Sequence, residues 1–107
     1  MGVIYKMIIK IMKSPIKHKR FRVIMNNNKH YDFGLDTGST YLDHKNDTKK
    51  ENYWARHYAN PTEKIIIDNL VPSPSLFSAY LLWGKYTDIN KNIEYLNNLW
   101  IQKHNLV

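Results

Sequence analysis

The chain has no cysteine, only four glycines and four prolines, and no apolar run long enough to cross a bilayer. The lack of cysteine excludes a disulfide framework, a zinc site with thiolate ligands and a cysteine nucleophile, and it fits a reducing compartment. Lys6 and Lys10 interrupt the apolar residues 3–12, and most cations follow this stretch, the reverse of their order in a secretory signal peptide. We therefore expect neither a signal peptide nor a membrane partner.

What the chain does contain is enough apolar side chain for one folded domain. Hydrophobic residues make up 43% and aromatic residues 13% of the 107 positions, which favours a folded core over disorder. A chain of this length has room for one core. We predict a basic N-terminal arm or edge strand over residues 1–20 and a single domain over residues 21–107.

Positive charge is concentrated at the start of the chain. Residues 1–30 hold eight lysines and arginines and no acid, whereas residues 31–107 hold eight cations and nine acids. A block of one charge sign is typical of a segment that binds an anionic partner, either an acidic protein or a nucleic acid. Lysine outnumbers arginine thirteen to three, which favours binding without base reading. The predicted contact residues are Lys13, Lys17, Lys19, Arg20 and Arg22.

Two β-type runs flank a cluster of asparagines. Residues 21–25 and 30–33 are rich in β-branched and aromatic side chains, and residues 26–28 are all asparagine, which tolerates positive φ. This pattern predicts a β-hairpin. Residues 3–12 are rich in isoleucine and predict a further strand, which Pro15 terminates.

Four helices are predicted in the rest of the chain. The first begins near Asp43 or Asp47 and ends before Pro61. The other three are a short helix capped by Thr62, a helix over residues 76–83 capped by Ser75 and ended by a left-handed Gly84, and a helix over residues 88–103 capped by Thr87. Strands followed by helices predict an α+β fold, a small antiparallel sheet covered by three to four helices.

Residues 36–39 read Asp-Thr-Gly-Ser, the active-site turn of aspartic proteases. Such an enzyme needs two carboxylates that share a proton and a glycine-rich flap. No glycine lies between Gly38 and Gly84, and the second half is predicted to be helical. The protease is therefore a remote alternative, and we expect no enzyme, no cofactor and no metal site.

The first predicted helix combines cations with aromatic residues. Such a helix could hold phosphates and stack on bases. The residues concerned are Lys45, Lys49, Lys50, Arg56 and His57, with Tyr53 and Trp54. The favoured interpretation is that the aromatic rings face the core and the cations face solvent.

The stretch from Phe21 to about Trp100 resembles a family of small uncharacterised proteins of large nucleocytoplasmic DNA viruses. The resemblance rests on four segments: Tyr31-Asp32-Phe33-Gly34, Ser39-Thr40-Tyr41-Leu42-Asp43-His44-Lys45, Asn52-Tyr53-Trp54-Ala55-Arg56-His57 and Phe77-Ser78-Ala79-Tyr80-Leu81-Leu82-Trp83.

This resemblance implies a viral source. We therefore expect a non-enzymatic virion component, located in the particle and in the host cytoplasm during infection, that binds other virion proteins. The alternative is a nucleic-acid-binding accessory protein. The residues of the family motif are predicted to form a structural network in which Arg56 pairs with Asp43 or Asp47. This set is Asp43, His44, Lys45, Arg56 and His57.

Overall fold

A computed structural model describes residues 6–105 of the chain. The strands are β1 (Ile8–Lys13), β2 (Lys19–Met25) and β3 (His30–Leu35). The helices are α1 (Tyr41–His44), α2 (Asp47–Tyr58), α3 (Pro61–Asp68), α4 (Pro74–Phe77), which continues as a π-helical segment (Ser78–Leu82), and α5 (Ile89–Asn105). The α+β prediction is confirmed. Residues 3–5 of the predicted first strand lie outside the described residues.

The three strands form one antiparallel sheet in the order β1-β2-β3. The asparagines at 26–28 make the turn between β2 and β3, as predicted, and Asn28 has a φ of +69°. Val23 lies opposite Tyr31 and Phe21 opposite Phe33, so these side chains share the face that packs on the helices. β1 is an edge strand, and its register shifts between Ile8 and Lys10.

The helices cover one face of the sheet and enclose a single apolar cluster. Phe77 lies at the centre, since its ring contacts Tyr31, Phe33 and Trp100 at centroid distances of 5.3, 5.8 and 6.3 Å. The buried members of the cluster are Ile8, Val23, Met25, Phe33, Leu70, Leu76, Phe77, Leu81, Leu82, Leu96 and Trp100.

Asn97 joins the first strand to the last helix. Its side-chain amide donates to the Ile8 carbonyl at 3.1 Å, and its oxygen accepts from the Ile8 amide at 2.8 Å. Both bonds fall at the shifted register of β1, where the ladder to β2 is interrupted. Residues that are 89 positions apart in the chain are thereby held together by two hydrogen bonds.

The π-helical segment leaves a carbonyl that another element must satisfy. Asn92 is completely buried, and its amide donates to the Leu81 carbonyl at 3.0 Å and to the Tyr86 carbonyl at 2.9 Å. Its side-chain oxygen accepts from the Tyr86 amide at 2.8 Å. One side chain of α5 therefore fixes both the end of the π-helical segment and the loop that follows it.

Three predicted helix starts were wrong by one or two positions. Asn60 rather than Thr62 caps α3, and Ser73 rather than Ser75 caps α4, because the proline after each can occupy only the first turn. Asp88 rather than Thr87 accepts the first amides of α5, from Asn90 and Lys91.

The predicted left-handed conformation of Gly84 was also wrong, since in the part of the chain that the structure describes only Gly34 among the glycines has a positive φ. Close packing against the Tyr80 carbonyl, rather than φ, requires glycine at position 84. Within residues 6–105, no helix is long and apolar enough to cross a bilayer.

Candidate functional site

The first hairpin exposes lysines and apolar side chains that alternate along the chain. Ile9, Met12 and Ile16 are 57%, 38% and 49% exposed, although all three are large hydrophobic residues. Lys10, Lys13 and Lys17 are exposed, and they form no ion pair within residues 6–105. We call this set the basic hairpin surface; it consists of Ile9, Lys10, Met12, Lys13, Ile16 and Lys17.

The two arginines of β2 already have acidic partners. Arg20 donates to both carboxylate oxygens of Asp43 at 2.8 and 2.9 Å. Arg22 donates to both carboxylate oxygens of Asp32 at 3.0 and 3.1 Å. Of the five cations predicted to bind an anionic partner, Arg20 and Arg22 are therefore neutralised within the fold, whereas the three lysines are not.

These ion pairs lower the pKa of each carboxyl group. The hydrogen bonds from Arg20, followed by those from the amide and hydroxyl of Thr40, hold the pKa of Asp43 far below its usual range against the opposing effect of burial. Bonds from Arg22 and the Ser14 hydroxyl lower the pKa of Asp32. Asp43 also closes the capping box of α1 with Thr40, so the ion pair joins β2 to the first helical turn.

Replacing Asp43 by asparagine should remove a pH-dependent part of the stability. Because the folded-state pKa is lowered, the contribution is fully present above the unfolded pKa of about 4 and is lost as the pH falls towards the folded value. Urea unfolding at about pH 7 should show a less stable variant, and the difference from wild type should shrink below about pH 4.

Asp36→Asn is the matched control, since Asp36 is exposed and forms no ion pair within the described chain. A difference between wild type and the Asp43 variant that stays constant between about pH 7 and about pH 3 would contradict the assigned role of the ion pair.

Two residues of the family motif lie at the ends of a row of aromatic rings. The His44 ring is 5.2 Å from Trp83, Trp83 stacks on Tyr53 at 4.5 Å with an interplanar angle of 5°, and Tyr53 is 4.1 Å from the His57 ring. His57 Nδ1 lies 2.8 Å from Glu63 Oε2 on α3. Burial raises the pKa of Tyr53, as expected for a ring enclosed on both faces.

The other two motif cations stand apart from this row. Lys45 and Arg56 are exposed and form no hydrogen bond or ion pair through their side chains within residues 6–105. The predicted pairing of Arg56 with Asp43 or Asp47 was therefore wrong, because Asp43 binds Arg20 and Asp47 accepts from the Tyr41 hydroxyl at 2.6 Å. Of the five motif residues, only His44 and His57 are joined, through the row of ring contacts, and no single polar network connects the set.

Tyr53 and Trp54 of α2 are half-buried and pack against Trp83 and Tyr80, as the favoured interpretation of that helix predicted, whereas Tyr58 is exposed. Trp54 Nε1 donates to the Trp83 carbonyl at 2.7 Å, and its ring contacts Tyr80 edge to face at 5.3 Å. Neither the Tyr53 ring face nor the Trp54 ring is therefore available as a platform for nucleic-acid bases.

A groove runs between the end of β3 and α2. It consists of two adjoining cavities of about 230 and about 320 Å³ that share five lining residues. Gly34 has a φ of +78°, a backbone conformation that favours glycine, and an added Cβ would lie 2.9 Å from Leu82 Cδ1. We call this groove the β3–α2 groove; the residues that line both of its cavities are Gly34, Leu35, Tyr53, His57 and Ser78.

The Asp-Thr-Gly-Ser loop borders this groove without directing its carboxylate into it. Gly38 and Ser39 line the second cavity, whereas Asp36 is exposed in the turn after β3 and is not among the lining residues. In the described part of the chain, no three histidine or acidic side chains converge closely enough to hold a metal ion.

The comparisons with known proteins give one match. The profile of a family of unknown function, DUF5754, matches residues 9–57, slightly less than half of the chain. The match runs from β1 to the last turn of α2, so it includes the basic hairpin surface and the motif residues at 43–45 and 56–57. No curated protein and no solved structure matches the chain.

Sequence reasoning missed Glu63, Trp83 and the serines that line the groove. Glu63 lies six residues after His57, across the Asn60-Pro61 break, and nothing in the local pattern indicates that α3 folds back against α2. Trp83 was expected in the core as part of an apolar helix. The available signal was an aromatic stripe on α2, which consists of Tyr53, Trp54, His57 and Tyr58 and needs a partner of similar chemistry elsewhere in the chain.

Proposed function

We propose that this chain is a non-enzymatic structural component that docks onto an acidic surface of a partner protein through the basic hairpin surface. One observation carries the proposal: three exposed apolar side chains alternate with three lysines that lack acidic partners within the described residues. Burying such apolar side chains against a partner is favourable, and the lysines select a partner of opposite charge.

The chemistry of this surface favours a protein over a nucleic acid. Binding to single strands relies on aromatic stacking, and residues 6–19 contain no phenylalanine, tyrosine or tryptophan. The two arginines of β2, which would be suited to bidentate phosphate contacts, are held by Asp43 and Asp32. Exposed isoleucine and methionine gain little from a phosphate backbone but fit the apolar centre of a protein interface.

The sequence resemblance adds the setting to this proposal. In a virus particle, the partner would be a larger capsid or shell protein, and the described domain, 44 × 30 × 24 Å in extent, would lie between or beneath such subunits. The edge strand places the basic hairpin surface at one side of the sheet, where a neighbouring subunit can reach it.

Photo-crosslinking in purified particles tests the docking surface directly. A photoreactive amino acid at position 12, in place of Met12, should crosslink to a particle protein with an acidic surface. The same amino acid at position 65 is the control, because Ile65 is 62% exposed on α3 and lies outside the basic hairpin surface. Absence of the protein from particles, or equal crosslinking from both positions, would overturn the proposal.

A titration with mixed-sequence DNA separates the nucleic-acid alternative. The docking proposal predicts that the protein binds this DNA only weakly. In the crosslinking experiment, a triple variant in which Lys10, Lys13 and Lys17 are replaced by glutamine should lose the crosslink to the particle protein. Tight DNA binding that falls steeply between two salt concentrations and is abolished in the same variant would instead identify a nucleic-acid-binding protein.

A further inference from the structure

The lining of the β3–α2 groove includes a lysine and no acidic residue. Lys19 lines its first cavity, His57 lines both cavities, and no described residue that lines either one is acidic. Glu63 contacts His57 from outside the lining, and Asp36 lies in the turn after β3, also outside the lining. An anion that enters the first cavity therefore meets Lys19 and no lining carboxylate.

Hydroxyl groups without internal partners line the same groove. Ser75 lines the first cavity, Ser39 the second, and Ser78 both, and no hydrogen bond within residues 6–105 engages these three side chains. The position of Ser78 follows from the π-helical segment, which starts at this residue. Such segments are frequent at functional sites because they alter the direction of side chains on a helix.

The aromatic wall contributes ring edges rather than ring faces. Tyr53 and Trp83 stack on each other, and His44 and His57 cover the outer faces of this pair. The edge of an aromatic ring carries the positive part of its quadrupole, which suits a neighbouring anion. Leu82 and Trp83 give the second cavity an apolar portion, and its volume of about 320 Å³ is within the range for small ligands.

We propose that the β3–α2 groove binds a phosphate monoester, with the phosphate in the first cavity between Lys19, His57, Ser75 and Ser78. Glu63 positions the imidazole through Nδ1, which leaves Nε2 as the ring nitrogen that can meet the ligand. The oxygens of a phosphate group accept several hydrogen bonds at once. One cation and two hydroxyls therefore suit a phosphate ligand better than a carboxylate ligand. The organic part of the ester fills the second cavity. This site is independent of the basic hairpin surface.

Amide NMR titrations of the full chain with defined probes test this site. The probes are inorganic phosphate, inorganic sulfate, adenosine monophosphate and a short phosphoserine peptide. We expect saturable shifts at the amides of Gly34, Ser75 and Ser78. At least one of the two esters, adenosine monophosphate or the phosphoserine peptide, should bind at least about fivefold more tightly than inorganic phosphate. Preference for the nucleotide identifies a free small molecule as the ligand, and preference for the peptide identifies a phosphorylated protein.

Lys19→Gln should weaken binding of the preferred ester by at least about fivefold, and Ser78→Ala should also weaken it. Lys17→Gln is the matched control, since Lys17 is an exposed lysine two residues away that does not line the groove, and it should leave the affinity within about twofold. Lys19 is exposed, so its variant is expected to fold normally.

Two results would overturn the proposal. The first is the absence of saturable shifts at these amides with either ester. The second is an equal loss of affinity for the ester in the Lys19 and Lys17 variants, which would show that the loss comes from the lower net charge and not from a contact in the groove.

Discussion

Replacement of Gly84 by alanine should unfold the domain or lower its free energy of unfolding by at least about 4 kcal/mol. An added Cβ would lie 1.9 Å from the carbonyl oxygen and 2.9 Å from the carbonyl carbon of Tyr80, and 3.0 Å from Asn92 Cγ. Because Tyr80 contributes backbone atoms of the π-helical segment, no side-chain rotation can relieve the contact. The segment would have to move away from the loop that follows it.

Gly38→Ala is the control for this substitution. An added Cβ at position 38 would meet Leu35 Cβ at 3.5 Å, which is an ordinary contact distance. Urea unfolding followed by circular dichroism should place Gly38→Ala within about 1 kcal/mol of wild type, while the Gly84 variant shows a much lower midpoint or no folded baseline. Similar midpoints for the two variants would show that the close packing of Gly84 does not limit stability.

Asn92→Leu should lower the free energy of unfolding by about 3 kcal/mol. Leucine has the same branching at Cγ as asparagine but larger terminal groups, so the change removes the hydrogen bonds without forming a cavity. It leaves the carbonyl of Leu81 and both backbone groups of Tyr86 without their partner, and the Leu81 carbonyl is buried. An unpaired buried polar group costs about 1–3 kcal/mol, more than the bond itself contributes when both partners are present.

Asn98→Leu provides the comparison on the same helix. Asn98 is exposed on α5, so its replacement by leucine tests helix propensity and added hydrophobicity without a buried bond. Thermal and urea unfolding should leave this variant within about 0.5 kcal/mol of wild type. If Asn92→Leu were equally mild, water would be satisfying the three backbone groups and the anchoring role of Asn92 would be wrong.

Local patterns located the hairpin correctly because its signals lie within a few residues of one another. The alternation of Phe21, Val23, Tyr31 and Phe33 sets the buried face, and the asparagine turn sets the register. An apolar stripe at helical spacing predicts a buried face on α5; it consists of Ile89, Ile93, Leu96 and Trp100, and the last two are buried. Asn92 follows Ile89 by three positions and precedes Leu96 by four, so periodicity places it beside this stripe. Its polar side chain, however, gave no sign of the complete burial that the structure shows.

The charge pattern predicted only part of the candidate site. The excess of cations in residues 1–30 is a property of the sequence, and three lysines on the basic hairpin surface retain it. Arg20 and Arg22 lose it, because Asp43 and Asp32 come from later segments that fold next to β2. A count of charges along the chain cannot include such partners, since ion pairing depends on distances in space.

The sequence by itself determined the α+β class, the strand pairing around residues 26–28 and the positive start of the chain, because alternation, turn residues and charge are local properties. Only the tertiary structure decided which cations remain unpaired and how His44, Trp83, Tyr53 and His57 line up. It also brought Lys19 and the groove serines together from β2 and the π-helical region. These arrangements depend on contacts between segments far apart in the chain, which packing of the whole core selects together.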